Sequence, residues 1–398
     1  MTTATSSIRW RQVLSLAAVQ AMISLMWVIY NAYLPDLFGE IGISTDAIAL
    51  LLSVETALAI AIHPLAGSLS DRNLHWLGTR FPIISVGVIT SSALFILIPL
   101  LAIAGGQGLR WTIVFVLVAW AIAMTLFHSP IISLLFIYSS VPQLPLVAST
   151  LILMQRLVSI AKPAVEQTLL NLGASVTFII GSIALIGAAF ALRQVTPPQM
   201  PVTQPRFPAL SSLALIGLVG LGIGWGTRLV MGNFSKLMLA HGATADLSGD
   251  RLMFFVTVGL AILTVPAGWL ASKIGNRPVL LVSLAATIAL SLLMVIPVLA
   301  IQVICTILLA ITLSGVFNGA FPFALTHVPS ERVGLGIGMY LAGLSVATVS
   351  FSRIIPEPQF LPPLMAAGIS AIALAIAILS VWFTPKPAAA PAPREVSS

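Results

Sequence analysis

The sequence predicts an all-α polytopic membrane protein, with twelve transmembrane helices in two pseudo-symmetric six-helix bundles. Three observations predict it. Only 7% of the 398 residues are charged while 59% are hydrophobic, and mean hydropathy is +1.09; a soluble domain carries roughly a quarter charged residues. Apolar stretches of about 20 residues recur along the chain, each enough to cross a hydrocarbon core of about 30 Å, and the short alternating segments of a membrane β-barrel are absent. A basic turn closes one apolar run and recurs near the end of another. The first copy is Gly67-Ser68-Leu69-Ser70-Asp71-Arg72 followed by Gly78-Thr79-Arg80-Phe81-Pro82; the second is Gly268-Trp269-Leu270-Ala271-Ser272-Lys273 followed by Gly275-Asn276-Arg277-Pro278.

In chain order the spans are expected at 12–38, 46–70, 81–104, 111–139, 145–170, 173–192, 209–238, 250–271, 278–300, 302–327, 332–354 and 360–384. The first begins after Arg9 and Arg11, is too long for the apolar core of a secretory leader, and has no small-residue cleavage site after it, so it reads as a retained helix. The second ends in the first basic turn and the third starts beside Pro82. The fourth holds Pro130 and gives way to Val141-Pro142. The fifth carries Gln155, Arg156, Lys162 and Glu166, and the sixth ends at Arg193. Residues 193–208, with Pro197, Pro198, Pro201 and Pro205, read as an extended cytoplasmic linker between an N-terminal bundle, 1–192, and a C-terminal bundle, 209–384. The seventh span holds Arg228, the eighth ends in the second basic turn, and the ninth begins at Pro278. Cys305, the single cysteine, lies in the tenth as a packing residue, so no intramolecular disulfide forms. The eleventh follows Pro329-Ser330-Glu331-Arg332, and the twelfth leads into a Pro/Ala-rich tail, 385–398, expected to be disordered. Internal Pro and Gly are tolerated better in membrane helices than in soluble ones.

Loops rich in Lys and Arg stay in the cytoplasm. With the N-terminus inside, inner segments hold eleven basic residues and outer segments four, so both termini are expected in the cytoplasm. The net charge of +7 and pI near 10.2 do not signal nucleic acid, because basic residues stand singly at helix ends.

With those residues in view, the chain resembles the major facilitator superfamily in its twelve spans, central linker and basic turn after the second and eighth spans. The resemblance implies that Gly67 permits close helix packing and that Asp71, Arg72 and Arg80 form an inner-side charge latch between the halves. Gly268, Lys273 and Arg277 would be its second copy, but Ser272 stands at the acid position, so the first copy should dominate. Five residues separate Arg72 from Gly78, and with Pro82, Pro130, Val141-Pro142 and Pro329-Ser330-Glu331-Arg332 before Gly334, Gly336, Gly338 and Tyr340 this is similar to the glycoside and sucrose transporter branches. Span four lacks the membrane arginine of many proton-coupled members, and span five lacks the Gly-Pro-rich motif usual in drug–proton antiporters.

Charge inside a bilayer is costly, which makes such residues functional candidates. They fall on spans two, five and seven, which the resemblance places around or beside a central cavity; the interiors of spans three, six, nine and twelve, expected to face lipid, carry none. From the helical rise, Glu55 lies about 14 Å from the outer face and Arg156 about 17 Å from the inner face, near the midplane where such proteins bind substrate. Other readings stay open. Lys162 and Glu166, four apart, pair structurally; Glu55 and Arg156 form an ion pair; Arg228 snorkels outward. Trp27, Tyr30, Asn31, Trp225 and Asn318 are candidate cavity residues, Tyr30 and Trp225 alternatively belonging to an interfacial belt. His63 and His128 read as packing residues, Trp120 and Trp269 as structural.

The expected function is secondary transport of a small polar organic solute, sugar-like or mildly anionic, by alternating access, with Glu55 as carrier of a coupling proton. The charges expected at the cavity, Glu55 and Glu166 against Arg156, Lys162 and Arg228, nearly balance. No nucleotide-binding Gly-x-x-x-x-Gly-Lys-Ser/Thr loop is present, and no nucleophile, metal cluster or acid pair stands at useful spacing. No enzymatic activity, cofactor or nucleic-acid partner is expected; the partners are the solute, the lipid bilayer and protons, at a plasma (inner) membrane. The other reading is a non-transporting pigment-delivery or assembly factor on the same fold.

Overall fold

The computed structural model describes residues 8–197, 207–240, 249–355 and 361–385. Among them, twelve helices are long and apolar enough to cross a membrane. They are α1 Trp10–Glu40, α2 Ala47–Leu77, α3 Phe81–Gly105, α4 Arg110–Ser133, α5 Leu144–Leu172, α6 Ala174–Val195, α7 Leu210–Ala240, α8 Gly249–Ile274, α9 Asn276–Leu293, α10 Leu299–Thr326, α11 Val333–Ile354 and α12 Pro363–Phe383. Most of the interhalf linker and nearly all of the C-terminal tail expected from the sequence lie outside the described residues.

Two helices end earlier than expected. α4 stops at Ser133 and resumes for one turn at Leu135–Tyr138, the junction closing through the Leu134 N–H···O=C Ile131 bond. α9 stops at Leu293 where the apolar pattern runs to 300. Pro297 follows, and the intervening turns close by bonds from Val295 to Leu292 and from Ile296 to Leu293. The two basic turns reverse the chain on equivalent glycines: Gly78 after α2 at φ 64° and Gly275 after α8 at φ 109°, both in the region that disfavours side-chain-bearing residues.

The packing repeats with a shift of six helices. In the first half α1 lies on α5 and α6, α3 on α4 and α6, and α2 on α4; in the second α7 lies on α11 and α12, α9 on α10 and α12, and α8 on α10. Between halves α2 packs on α11 and α5 on α8, again related by that shift. Helices α3, α6, α9 and α12 present large apolar side chains outward, among them Ile89, Ile183, Val282 and Ile372, as a lipid-facing surface requires.

Small residues set how closely these helices approach. A side chain on Gly67 would run into the Gly334 carbonyl, and one on Gly338 into the backbone of His63 and Pro64. The α2 and α11 backbones therefore touch at two points four residues apart, the device by which membrane helices gain van der Waals contact where no hydrophobic drive exists between them. Gly268 of α8 meets the Pro145 carbonyl and Ser149 of α5 in the equivalent place.

Candidate functional site

At the helix ends bearing the basic turns, called inner here, Asp71 joins the halves. Arg80 donates to Asp71 Oδ1 at 2.5 Å, forming a buried ion pair. Arg80 also donates to Ser70 Oγ at 3.3 Å. The same carboxylate accepts the backbone N–H of Gly334 at 3.0 Å on Oδ1 and of Leu335 at 2.8 Å on Oδ2. These are orphan donors in the first turn of α11, whose own preceding residue, Arg332, supplies no side-chain cap. An acid in one half thus caps a helix of the other, and its charge faces the positive end of the helix dipole. Asp71 and Arg80 are 3% and 1% exposed, so both bonds form away from water.

The other residues named for the latch take different places. Arg72 is exposed and lies over the Trp76 ring at 5.1 Å, because it points away from the face that carries Asp71. In the second copy Gly268 makes its close contact, but Lys273 is exposed and Ser272 Oγ donates to the Trp269 carbonyl of its own helix. Arg277 donates to the Trp382 carbonyl at 2.6 Å, within its own half. With no acid at position 272 there is nothing to bridge α8 to the first turn of α5.

A cavity of about 190 Å³ lies outward of this contact, walled by Trp27 of α1, Glu55, Thr56, Ala59 and His63 of α2, Met124, Thr125 and His128 of α4, and Ser345 of α11. Glu55, Ala59, His63, Gly67 and Asp71 follow one another at intervals of four along a single ridge of α2 and are all buried. One ridge therefore carries the cavity carboxylate, the close backbone contact and the interhalf cap. Tyr30 donates to Glu55 Oε1, while Glu55 Oε2 is buried without a hydrogen-bond partner. The Tyr30 ring stacks on Trp120 at 4.3 Å, and Trp27 meets Trp120 edge-on at 4.9 Å. Trp120, expected to be structural, is fully buried and forms the back of this aromatic wall.

Two expected pairings are not made, and several candidate residues take nearby partners. Glu55 and Arg156 do not pair; Arg156 lies over the Phe317 ring of α10 at 4.6 Å. Lys162 and Glu166 do not meet either, since both sit on the outer half of α5, where the long side chains are free to turn apart. Asn318 is completely buried and donates to the Thr264 carbonyl at 2.7 Å, tying α10 to α8 instead of lining the cavity. Asn31 is exposed and donates to the Trp27 carbonyl of its own helix. Trp225 donates to Ser350 at 2.8 Å, and Arg228 to Thr348 at 2.7 Å. Thr348 lies one helical turn outward of Ser345 on α11, so Arg228 stands above the cavity on the same face.

Two residues read as packing groups belong to the cavity. His63 and His128 face each other with ring centroids 6.0 Å apart, on different helices. The signal that could have found His63 is its place two turns below Glu55, on the ridge that ends in Asp71. No group of three metal-ligating side chains occurs among the described residues.

No protein-family model matches the sequence, and no curated protein matches it either. Solved structures do match the fold. The Escherichia coli fucose:proton symporter FucP aligns with a TM-score of 0.69 at 12% identity, over 94% of this chain and 98% of that one. The human organic anion transporter MFSD10 (TETRAN) aligns at 0.67 and 14%, over 95% and 99%. A bacterial homologue of the iron transporter ferroportin, in an outward-facing state, aligns at 0.70 and 14%, over 94% and 98%. Matches at this identity carry the fold, which the twelve helices and their six-helix repeat carry independently: the chain has the fold of the major facilitator superfamily.

Proposed function

We propose that the protein is a secondary transporter that moves a small polar organic solute by alternating access, in a conformation closed at the inner side. The observation that carries the reading is the contrast along the interface between halves. At the inner ends, Asp71 caps α11, Gly67 touches Gly334, and Gly268 touches Pro145 and Ser149. Towards the outer ends the packing loosens: the buried residues of α5 run from Leu144 to Ile152 and none follows as far as Leu172. A cavity at mid-depth, closed beneath by a backbone-to-backbone contact between the halves, is what an outward-facing carrier requires.

Its two halves are the bundles 1–192 and 209–384, joined by an inner linker, with both termini in the cytoplasm at a plasma membrane. Glu55 is the group through which a proton couples to the solute. Of the five charges expected at the cavity, Glu55 alone belongs to its wall, so the near balance of charge drawn from the sequence does not describe it. Reconstitution in proteoliposomes tests the proposal. Purified protein should exchange a bound solute across the bilayer, and Asp71→Asn should alter the exchange. Stable binding with no exchange, together with co-purification of a partner complex, would instead support an assembly factor.

A further inference from the structure

We propose that the Glu55 cavity takes a protonated amine, a small organic ammonium ion whose N–H donors meet Glu55 while its charge lies against Trp27. The inference deepens the transporter reading and rests on it.

The hydrogen-bonding inventory around Glu55 leans towards acceptors. Tyr30 spends its proton on Glu55. Thr56 donates to the Leu52 carbonyl at 2.7 Å and Thr125 to the Ala121 carbonyl at 2.8 Å, so both hydroxyls can only accept further bonds. Glu55 Oε2 is buried and unpartnered, as are His63 Nδ1 and His128 Nε2, each of which donates or accepts according to its tautomer. The free carboxylate oxygen and the two threonine hydroxyls therefore favour a ligand that brings donors.

The charge is one-sided too. No Lys or Arg lines the cavity, since Arg156 is held over Phe317 and Arg228 bonds Thr348 above it. A carboxylate at this depth needs either a proton or a cation. An ammonium ion supplies charge and donors together, and the Trp27 ring in the wall offers a face that attracts cations. At about 190 Å³ the cavity is smaller than a typical site for drug-sized ligands, which selects a small amine. A proton and this ligand compete for one carboxylate. Binding then weakens at low pH, where protonation of His63 or His128, which share the cavity with Glu55 and its donor Tyr30, acts in the same direction.

Three probes of nearly equal shape test the proposal: cyclohexylammonium, cyclohexanol and cyclohexanecarboxylate, titrated calorimetrically into purified wild-type protein and into Glu55→Gln. The expected result is binding of cyclohexylammonium at least tenfold tighter than either other probe, a loss of at least tenfold in Glu55→Gln, and weaker binding as pH falls. Preference for the alcohol or the carboxylate, binding of none of the three, or ammonium binding that survives Glu55→Gln overturns it. The wild-type ranking alone decides the point if the variant folds poorly. The transporter reading fails separately, if a cavity cysteine never becomes reachable from the inner side under any condition.

Discussion

Glu55 is held by one hydrogen bond and lacks a partner on its other oxygen, so its two neighbouring substitutions should part company. Glu55→Gln keeps an acceptor for Tyr30 and removes the buried charge; the variant should melt close to wild type while solute accumulation loses its dependence on a pH gradient. Tyr30→Phe strips the carboxylate of its only donor, and a buried acceptor left unsatisfied costs about 1–3 kcal/mol. That variant should be clearly less stable in a thermal-unfolding comparison in detergent. The reverse ranking would mean that Tyr30 serves the aromatic wall alone. Asp71 differs because three partners depend on it. Asp71→Asn leaves the Arg80 guanidinium buried without its counter-charge, a loss on the order of 3–5 kcal/mol. Asp71→Asn/Arg80→Gln should recover part of it, and a double-mutant cycle reads the coupling directly.

At the scale of the helix, α2 and α11 touch through their backbones, and the contact leaves no room for a methyl group. Gly67→Ala should push α2 from α11 at a cost of about 1–3 kcal/mol, roughly fivefold or more in the balance between inner-closed and inner-open forms. Limited proteolysis or thiol labelling at the inner face reads that shift. Gly368, whose added Cβ would meet open space, is the control: Gly368→Ala should leave the balance unchanged. The same pair of helices shows where sequence reasoning succeeds. Helix number follows from apolar length, and the Asp71–Arg80 turn follows from a local pattern that two neighbouring helix ends cannot avoid bringing together. Some helix ends escaped it: α4 and α9 stop inside apolar runs that remain continuous in composition, α9 ahead of Pro297, while α2 runs on to Leu77 through the basic turn. The side-chain partners escaped it more often. Whether Arg156 meets Glu55 or Phe317, and whether His63 meets His128, is decided by the rotation of separate helices, which no single segment encodes. Asn318 was misplaced for the same reason: a polar residue at mid-depth suits a cavity wall and a helix-to-helix tie equally well, and only its neighbour Thr264 distinguishes them.

For the whole molecule, the two halves repeat one packing scheme but not one chemistry. The α2–α11 contact carries an acid, an arginine and two helix N–H groups; its counterpart, α8–α5, has a glycine contact and no polar bridge. Opening the inner side should therefore be governed by Asp71, and Ser272→Ala should leave it unchanged. If Asp71 seals an outward-facing cavity from the inside, the side from which that cavity can be reached depends on Asp71. Cys305 is the only native cysteine and is buried, so a Cys305→Ser background carrying Thr125→Cys gives one reporter in the cavity wall. A membrane-impermeant thiol reagent, applied to vesicles of each orientation, should label it from the outer side with Asp71 intact, and from the inner side as well once Asp71→Asn is introduced. Labelling from the inner side with Asp71 in place, or labelling that Asp71→Asn leaves unaltered, would show that Asp71 does not seal the cavity.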